Sequence, residues 1–277
     1  MNFSTNDTLT LAHILRDVAK AEIMPRWRSL SEGQIRQKSS AFDLVTDADE
    51  AAERAIAAKL AEVFPGAATI GEESCEKNPA LLDTIGDHDL AFIVDPVDGT
   101  ANFAAGLPLF GVICAVVCKG VVAAGVIFDP LGDDWAIAVK GQGAWYESLA
   151  GKRRPLRVAQ PAPVNAMLGS LSQSYAGADM RARLGRNQSR VAATVGYRCA
   201  AHEYRLLASG NMHFSLAHKL MPWDHAAGWL LHREAGGYSA RFDGSDYSPL
   251  HRDGGLLCAP DRTSWQALYD ALIKEEA

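Results

Sequence analysis

The stretch Leu90-Ala91-Phe92-Ile93-Val94-Asp95-Pro96-Val97-Asp98-Gly99-Thr100 decides how this chain is read. Its first five residues form a compact apolar run suited to a buried strand. The run stops at Asp95-Pro96, and the segment from there to Thr100 admits two readings. Pro and Asp-Gly are ordinary turn residues, so the segment reads as a plain turn. Alternatively, Pro96 fixes the chain so that Asp95 and Asp98 point at one location, and Gly99 lets the backbone approach a ligand closely. The amides of Gly99 and Thr100 would then open a helix and bind phosphate oxygens. Carboxylate oxygens are the ligands that hard cations such as Mg²⁺ take.

Outward from this stretch the pattern is mixed α and β. Helical spacing of Leu11, Ile14, Leu15 and Val18 predicts a helix from Asp7 to about Arg28, capped by Asp7 or Thr8. Gly33 to Ser40 reads as a polar hairpin or loop. A second helix is expected from Asp47 to Val63, stopped by Phe64-Pro65-Gly66. Short strands are expected at Ala68–Ile70, Val112–Cys118, Val121–Phe128 and Trp135–Val139, and their close spacing suggests an antiparallel meander. Gly141-Gln142-Gly143 turns the chain toward Ala144-Trp145-Tyr146. Lys152-Arg153-Arg154 reads as a solvated loop. Beyond it a strand is expected at Met167–Ser172, with helices at Ala178–Leu184, Ala201–Ser209 and His225–Glu234. A composition shift sets a soft boundary near residue 150, giving halves 1–150 and 151–277.

Composition narrows the function classes. The 277 residues carry 27 Lys+Arg against 33 Asp+Glu, a net charge of −6, which argues against a general nucleic-acid binder. It does not argue against a small anionic substrate, because bound metal ions reverse local charge. The five cysteines show no C-x-x-C pair, and Cys114 and Cys118 lie in an apolar run, so buried free thiols in a reducing compartment are expected. There is no signal peptide pattern and no apolar span of about 20 residues. A cytoplasmic protein, with no membrane partner, is the expectation.

Three further acidic segments admit both a structural and a chemical reading. Gly71-Glu72-Glu73-Ser74 follows a short strand, and its acids are either solvated or hard ligands at a strand end. Asp224 in Trp223-Asp224-His225-Ala226-Ala227-Gly228 is either a helix N-cap, with Trp223 as its staple, or a ligand at the start of that helix. Thr46 and Asp49 have capping-box spacing, with Asp in place of Glu, and Asp49 is alternatively an active-site carboxylate.

Together these segments coincide with a known pattern. D-P-V-D-G-T-x-N-F at Asp95–Phe103, G-E-E-S at Gly71–Ser74, W-D-x-A-A-G at Trp223–Gly228 and D-L-V-T-x-x-D at Asp43–Asp49 resemble the inositol monophosphatase family, and Lys38 stands where that family often has a lysine. The resemblance runs from about Leu11 to Cys258. It implies a layered α-β-α-β-α sandwich of the inositol monophosphatase and fructose-1,6-bisphosphatase type, an α+β fold. It implies Glu72, Asp95, Asp98, Asp224 and the Val97 carbonyl as ligands of two or three Mg²⁺ ions. Two ions about 3.5–4 Å apart would clamp the attacking and leaving oxygens of a phosphate monoester. Thr100, hydrogen-bonded to Asp49, would orient the attacking water, and Glu73 would support the shell. Asp98, Gly99, Thr100 and Asp224 would hold the substrate. Family members are commonly homodimers.

The substrate region departs from the family pattern. Inositol-specific members carry a glutamate six residues before the tryptophan of W-D-x-A-A-G; here that place is Ala217. Gly196-Tyr197-Arg198-Cys199 replaces smaller residues, so Tyr197 and Arg198 are expected to narrow or recharge the pocket. Arg198 facing the site would favour a second anionic group; an Arg198 paired on the surface would not. The expected activity is Mg²⁺-dependent hydrolysis of inositol monophosphate or another small phosphorylated metabolite. Alternatives are histidinol phosphate, fructose 1,6-bisphosphate or adenosine 3′,5′-bisphosphate as substrate, or a role mainly as a protein-binding regulator.

Overall fold

The computed structural model describes residues 3–38 and 43–275. Five layers stack in the order helices, sheet, helices, sheet, helices. The first helix, α1 (Thr5–Val18), is capped by Ser4 rather than by Asp7 or Thr8; Asp7 instead closes the capping box from the third helical position. Past Val18 the chain does not continue as regular α-helix: one π turn (Ala19–Ile23) and one 3₁₀ turn carry it to Arg26. Strands β1 (Ile35–Gln37) and β2 (Leu44–Thr46) pair antiparallel. Ser39 and Ser40, the end of the expected polar loop, lie outside the described residues. Helix α2 (Asp47–Val63) starts at the Thr46–Asp49 capping box that the spacing predicts.

The central sheet has seven strands in the order β3 (Ala68–Gly71), β4 (Ala91–Asp98), β5 (Gly111–Cys118), β6 (Val121–Asp129), β7 (Asp134–Val139), β8 (Gly143–Ser148) and β9 (Arg153–Pro155). β3 and β4 are parallel, and the rest is the expected antiparallel meander. Of the basic run at 152–154, Lys152 lies in an exposed loop as expected, but Arg153 and Arg154 sit on an exposed edge strand, with their guanidinium groups over Trp145 and Tyr146. Both faces of β4 and β5 are covered. Phe92, Val94, Val112 and Cys114 pack toward α1 and α2, while Ala91, Ile93, Ile113 and Ala115 face the opposite layer. Burial on two faces is why these strands read as unbroken apolar runs. Helix α3 (Glu72–Lys77) follows β3, and α4 (Thr100–Ala104) follows β4.

The opposite layer holds α6 (Ala200–Ala208) and α7 (Pro222–Glu234). Beyond it lies a five-stranded sheet in the order β11 (Ala193–Val195), β10 (Leu168–Leu171), β12 (Phe214–Ala217), β14 (Leu256–Ala259) and β13 (Tyr238–Arg241). Helices α5 (Ala178–Asn187) and α8 (Arg262–Leu272) close its outer face, with Leu184, Trp265 and Leu268 in the core. Of this half, β11 to β14 and α8 carry short or irregular sequence signals, and the sequence does not predict them. The described cysteines are all free, four buried and Cys118 half-buried. No described helix is long and apolar enough to cross a membrane.

The α7 layer lies close to the central sheet because Gly125 has no side chain. A Cβ there would meet the Cα and carbonyl oxygen of Ala227 at 2.9 Å. Gly125→Ala should push α7 off the sheet and destabilise the fold by about 1–3 kcal/mol. A lowered urea midpoint with an unchanged slope is the expected reading.

Candidate active site

Parallel pairing of β3 and β4 decides where the acids meet. The register sets Gly71 opposite Val94, so Glu72, just past the end of β3, stands beside Asp95, which is still within β4. The Asp95–Asp98 segment is not a turn. It continues β4 with a register shift against β5, from Asp95 opposite Ile113 to Asp98 opposite Gly111. Such a bulge re-aims side chains. Val97 N–H donates to Asp95 Oδ1 at 3.1 Å and fixes that carboxylate. Gly99 then takes a left-handed φ of +83°, and a Cβ on it would stand 2.8 Å from the Leu109 carbonyl.

The third acid arrives from across the molecule. Pro222 occupies the first turn of α7 and Met221 is its cap residue, so Asp224 is not the N-cap; it sits inside the first turn, its carboxylate at the positive end of the helix. His225 holds this turn, with Nδ1 2.9 Å from the Tyr204 hydroxyl and Nε2 3.0 Å from the Lys219 carbonyl. Asp95, Asp98 and Asp224 each offer an oxygen, and these lie within 4.8 Å of one another. Asp98 Oδ2 also accepts from the Ala201 amide at 2.6 Å, at the start of α6, and contacts the Cys199 thiol at 2.9 Å.

Around this trio is a cavity of about 480 Å³. Of the residues expected at the site, Glu72, Asp95, Val97, Asp98, Gly99, Thr100, Arg198 and Asp224 line it. Asp49 and Glu73 stand behind the lining. Thr100 Oγ1 lies 3.0 Å from Asp49 Oδ1 and 3.0 Å from the Val97 carbonyl oxygen. The second oxygen of Asp49 accepts from the Thr46 amide and hydroxyl. Lys38 donates to Glu72 at 2.9 Å and to Glu73 at 2.6 Å. Gly196 and Tyr197 do not line the cavity; the Tyr197 carbonyl accepts from Asn102 Nδ2 at 2.8 Å, which ties this loop to the Gly99 turn. Arg198 does line it, from a left-handed φ of +53°.

Charge crowding governs the titration. Burial, then mutual repulsion, raises Asp95 and Asp224 well above the usual carboxylate range. Burial also raises Asp98, against the hydrogen bonds it accepts. It lifts Glu72 to about 7, Glu73 to about 8 and Asp49 to about 6. Lys38 is held above its ordinary value: burial opposes its charge, but Glu72 and Glu73 outweigh that. Clustered oxygen donors with uncompensated negative charge fit a hard divalent cation. Asp95, Asp98 and Asp224 could hold it, and Glu72 lines the same cavity.

Sequence reasoning missed Glu53, which is 5% exposed and accepts from the Glu73 amide at 2.7 Å and the Ser74 amide at 2.8 Å. Its signal is an acid three residues before Ile56 on the buried stripe of α2, where acids are rare.

The sequence profile of the inositol monophosphatase family matches residues 6–276. An inositol-1-monophosphatase of Mesorhizobium japonicum is 33% identical over 237 residues, 84% of either chain. A fructose-1,6-bisphosphatase/inositol-1-monophosphatase of Thermotoga maritima is 31% identical over 221 residues, 79% of either chain. The crystal structure of the suppressor protein suhB of Bartonella henselae superposes with a TM-score of 0.80 at 25% identity, covering 97% of this chain and 99% of that one.

A carboxyl whose pKa is raised by folding binds its proton more tightly when folded, so stability falls as pH rises from its unfolded to its folded value. Buried His225 and His232, lowered to about 4 and about 3, act in the opposite sense, but only below their ordinary value. Between about pH 6.5 and 8 the raised carboxyls, Glu72 and Glu73 among them, therefore dominate. The melting temperature of chelator-treated protein should fall across this window, and millimolar Mg²⁺ should reduce the fall. A rise with pH in the metal-free protein would contradict this charge balance.

Proposed function

This chain belongs to the inositol monophosphatase family of phosphatases, and we propose that it hydrolyses a small phosphate monoester with Mg²⁺ as its cofactor. The observation that carries the reading is the convergence of Asp95, Asp98 and Asp224 within 4.8 Å at the floor of a cavity. A phosphate monoester dianion repels a hydroxide nucleophile, so neutralising charge is the first requirement. Mg²⁺ held by Asp95, Asp98 and Asp224 would supply that neutralisation, acidify water and stabilise a leaving alkoxide. Two or three ions fit the number of carboxylates present.

The chain's own groups supply orientation and proton transfer. Gly99 and Thr100 line the cavity and offer their amides to phosphate oxygens. The Thr100 hydroxyl accepts the proton of the attacking water and relays its own to Asp49, which is 3.0 Å away. Asp49, lifted by burial to about 6, suits a general base near neutral pH. Its second oxygen is fixed by Thr46, which keeps the first aimed at Thr100. Lys38 favours the ionised forms of Glu72 and Glu73 and so keeps them ready to serve a cation.

Inositol monophosphate is the first substrate to test, given the names of the relatives. A second reading has its own observation. Arg198 and Lys219 both line the cavity, and the Lys219 ammonium stands 5.0 Å from the ring of Tyr175, another lining residue. With Ala217 at the place of the inositol-binding glutamate, this favours an alcohol that carries a second anionic group. The Thermotoga relative's name, which includes fructose-1,6-bisphosphatase, agrees with that class.

The test is phosphate release from inositol 1-phosphate and fructose 1,6-bisphosphate with and without Mg²⁺. Activity should require the ion, and Asp98→Asn should lower kcat at least about 100-fold, about 2.7 kcal/mol of barrier, while the protein still folds. Near wild-type turnover by that variant would refute the assigned site.

A further inference from the structure

Helix α3 has six residues and presents Glu72 to the cavity, yet its own cap does not fix its start. The cap residue is Gly71, which makes no side-chain capping bond. Two amides of its first turn, Glu73 N–H and Ser74 N–H, donate instead to Glu53, at 2.7 and 2.8 Å. The Ser74 hydroxyl donates to the same carboxylate. Glu53 therefore caps α3 from another helix, 20 residues earlier in the chain. Gly71 makes this possible. A Cβ there would lie 2.2 Å from Glu53 Cδ and 2.3 Å from its Oε2.

Glu53 is buried beside Glu73, in a region already crowded with acids, where another carboxylate is the least favourable choice on charge alone. The bonds it accepts are the compensation. They also pin the rotation of α3 about its axis, and with it the direction of Glu72. A six-residue helix has few internal bonds for that purpose. Small errors in ligand direction weaken a cation site strongly, because ligand-orienting neighbours are worth about 10–100-fold in metal affinity.

We propose that Glu53 is a positioning residue of the metal site: it touches no cation but aims Glu72 by capping α3, and Gly71 lacks a side chain to admit it. This rests on the metal-dependent reading of the cavity. Gly71→Ala is an independent probe, because it displaces the Glu53 carboxylate without removing its charge.

The experiment is Mn²⁺ binding followed by electron paramagnetic resonance, with thermal unfolding of the same samples. Glu53→Gln keeps the shape but turns an amide N–H₂ toward an N–H donor. It should weaken Mn²⁺ binding about tenfold, and Gly71→Ala should weaken it in the same direction. Leu268→Ala, in the core under α8 and away from the cavity, is the control: it should lower the melting temperature and leave Mn²⁺ affinity unchanged, as a purely structural defect would. Wild-type affinity in Glu53→Gln, or in Gly71→Ala should the former not fold, overturns the proposal. Absence of Mn²⁺ binding by the wild-type protein overturns the metal reading itself, and the positioning role with it.

Discussion

Repulsion among buried carboxylates is the constraint on which this structure turns. Three aspartate oxygens within 4.8 Å of one another repel by at least about 3.5 kcal/mol per ionised pair at an effective dielectric of about 20. Glu72, Glu73, Asp49 and Glu53 stand close by. A fold of ordinary stability does not carry such a cluster without compensation. The chain supplies part of it internally. Lys38 binds Glu72 and Glu73, the amide of Ala201 binds Asp98, and the start of α3 binds Glu53. On the proposed function the remainder is left to cations, and that deficit is the chemical capacity of the site.

The architecture brings these groups together from distant parts of the chain. A parallel pair, β3 and β4, is the device that sets the end of β3 beside the acidic second half of β4. The bulge in β4 then lets Asp95 and Asp98 face the same way. Helix α7 crosses the sheet close enough to deliver Asp224 because Gly125 yields space to Ala227. Gly228 does the same for Tyr204, whose ring a Cβ would meet at 2.0 Å, and Tyr204 in turn holds His225 beside Asp224. Glycines at contacts, rather than in turns, are what connect the packing of the layers to the chemistry.

Much of this was legible in the sequence, and the reasons differ by element. Helix α2 is bounded by a capping box and by Phe64-Pro65-Gly66, local signals that tertiary packing does not override. The meander is written in apolar runs that are covered on both faces. The second half was less legible. β11 has three residues, and β12 to β14 have four each, too few for a period to show. Asp224 reads as a cap because cap residues and first-turn acids share a composition; Pro222 fixes the true start. The site acids were recognisable as a set through family motifs, whereas the bonds of Glu53 and Asn102 and the Cys199–Asp98 contact are long-range and leave no local spacing to read.

The central claim is that scattered acids form one cation site. A crystal of this protein grown with Mn²⁺ tests it most directly through the anomalous signal. The predicted result is a peak within coordination distance of Asp95, Asp98 and Asp224, with Glu72 turned toward a neighbouring one. A map with no peak there, or with the manganese bound at some other acidic surface, would contradict it.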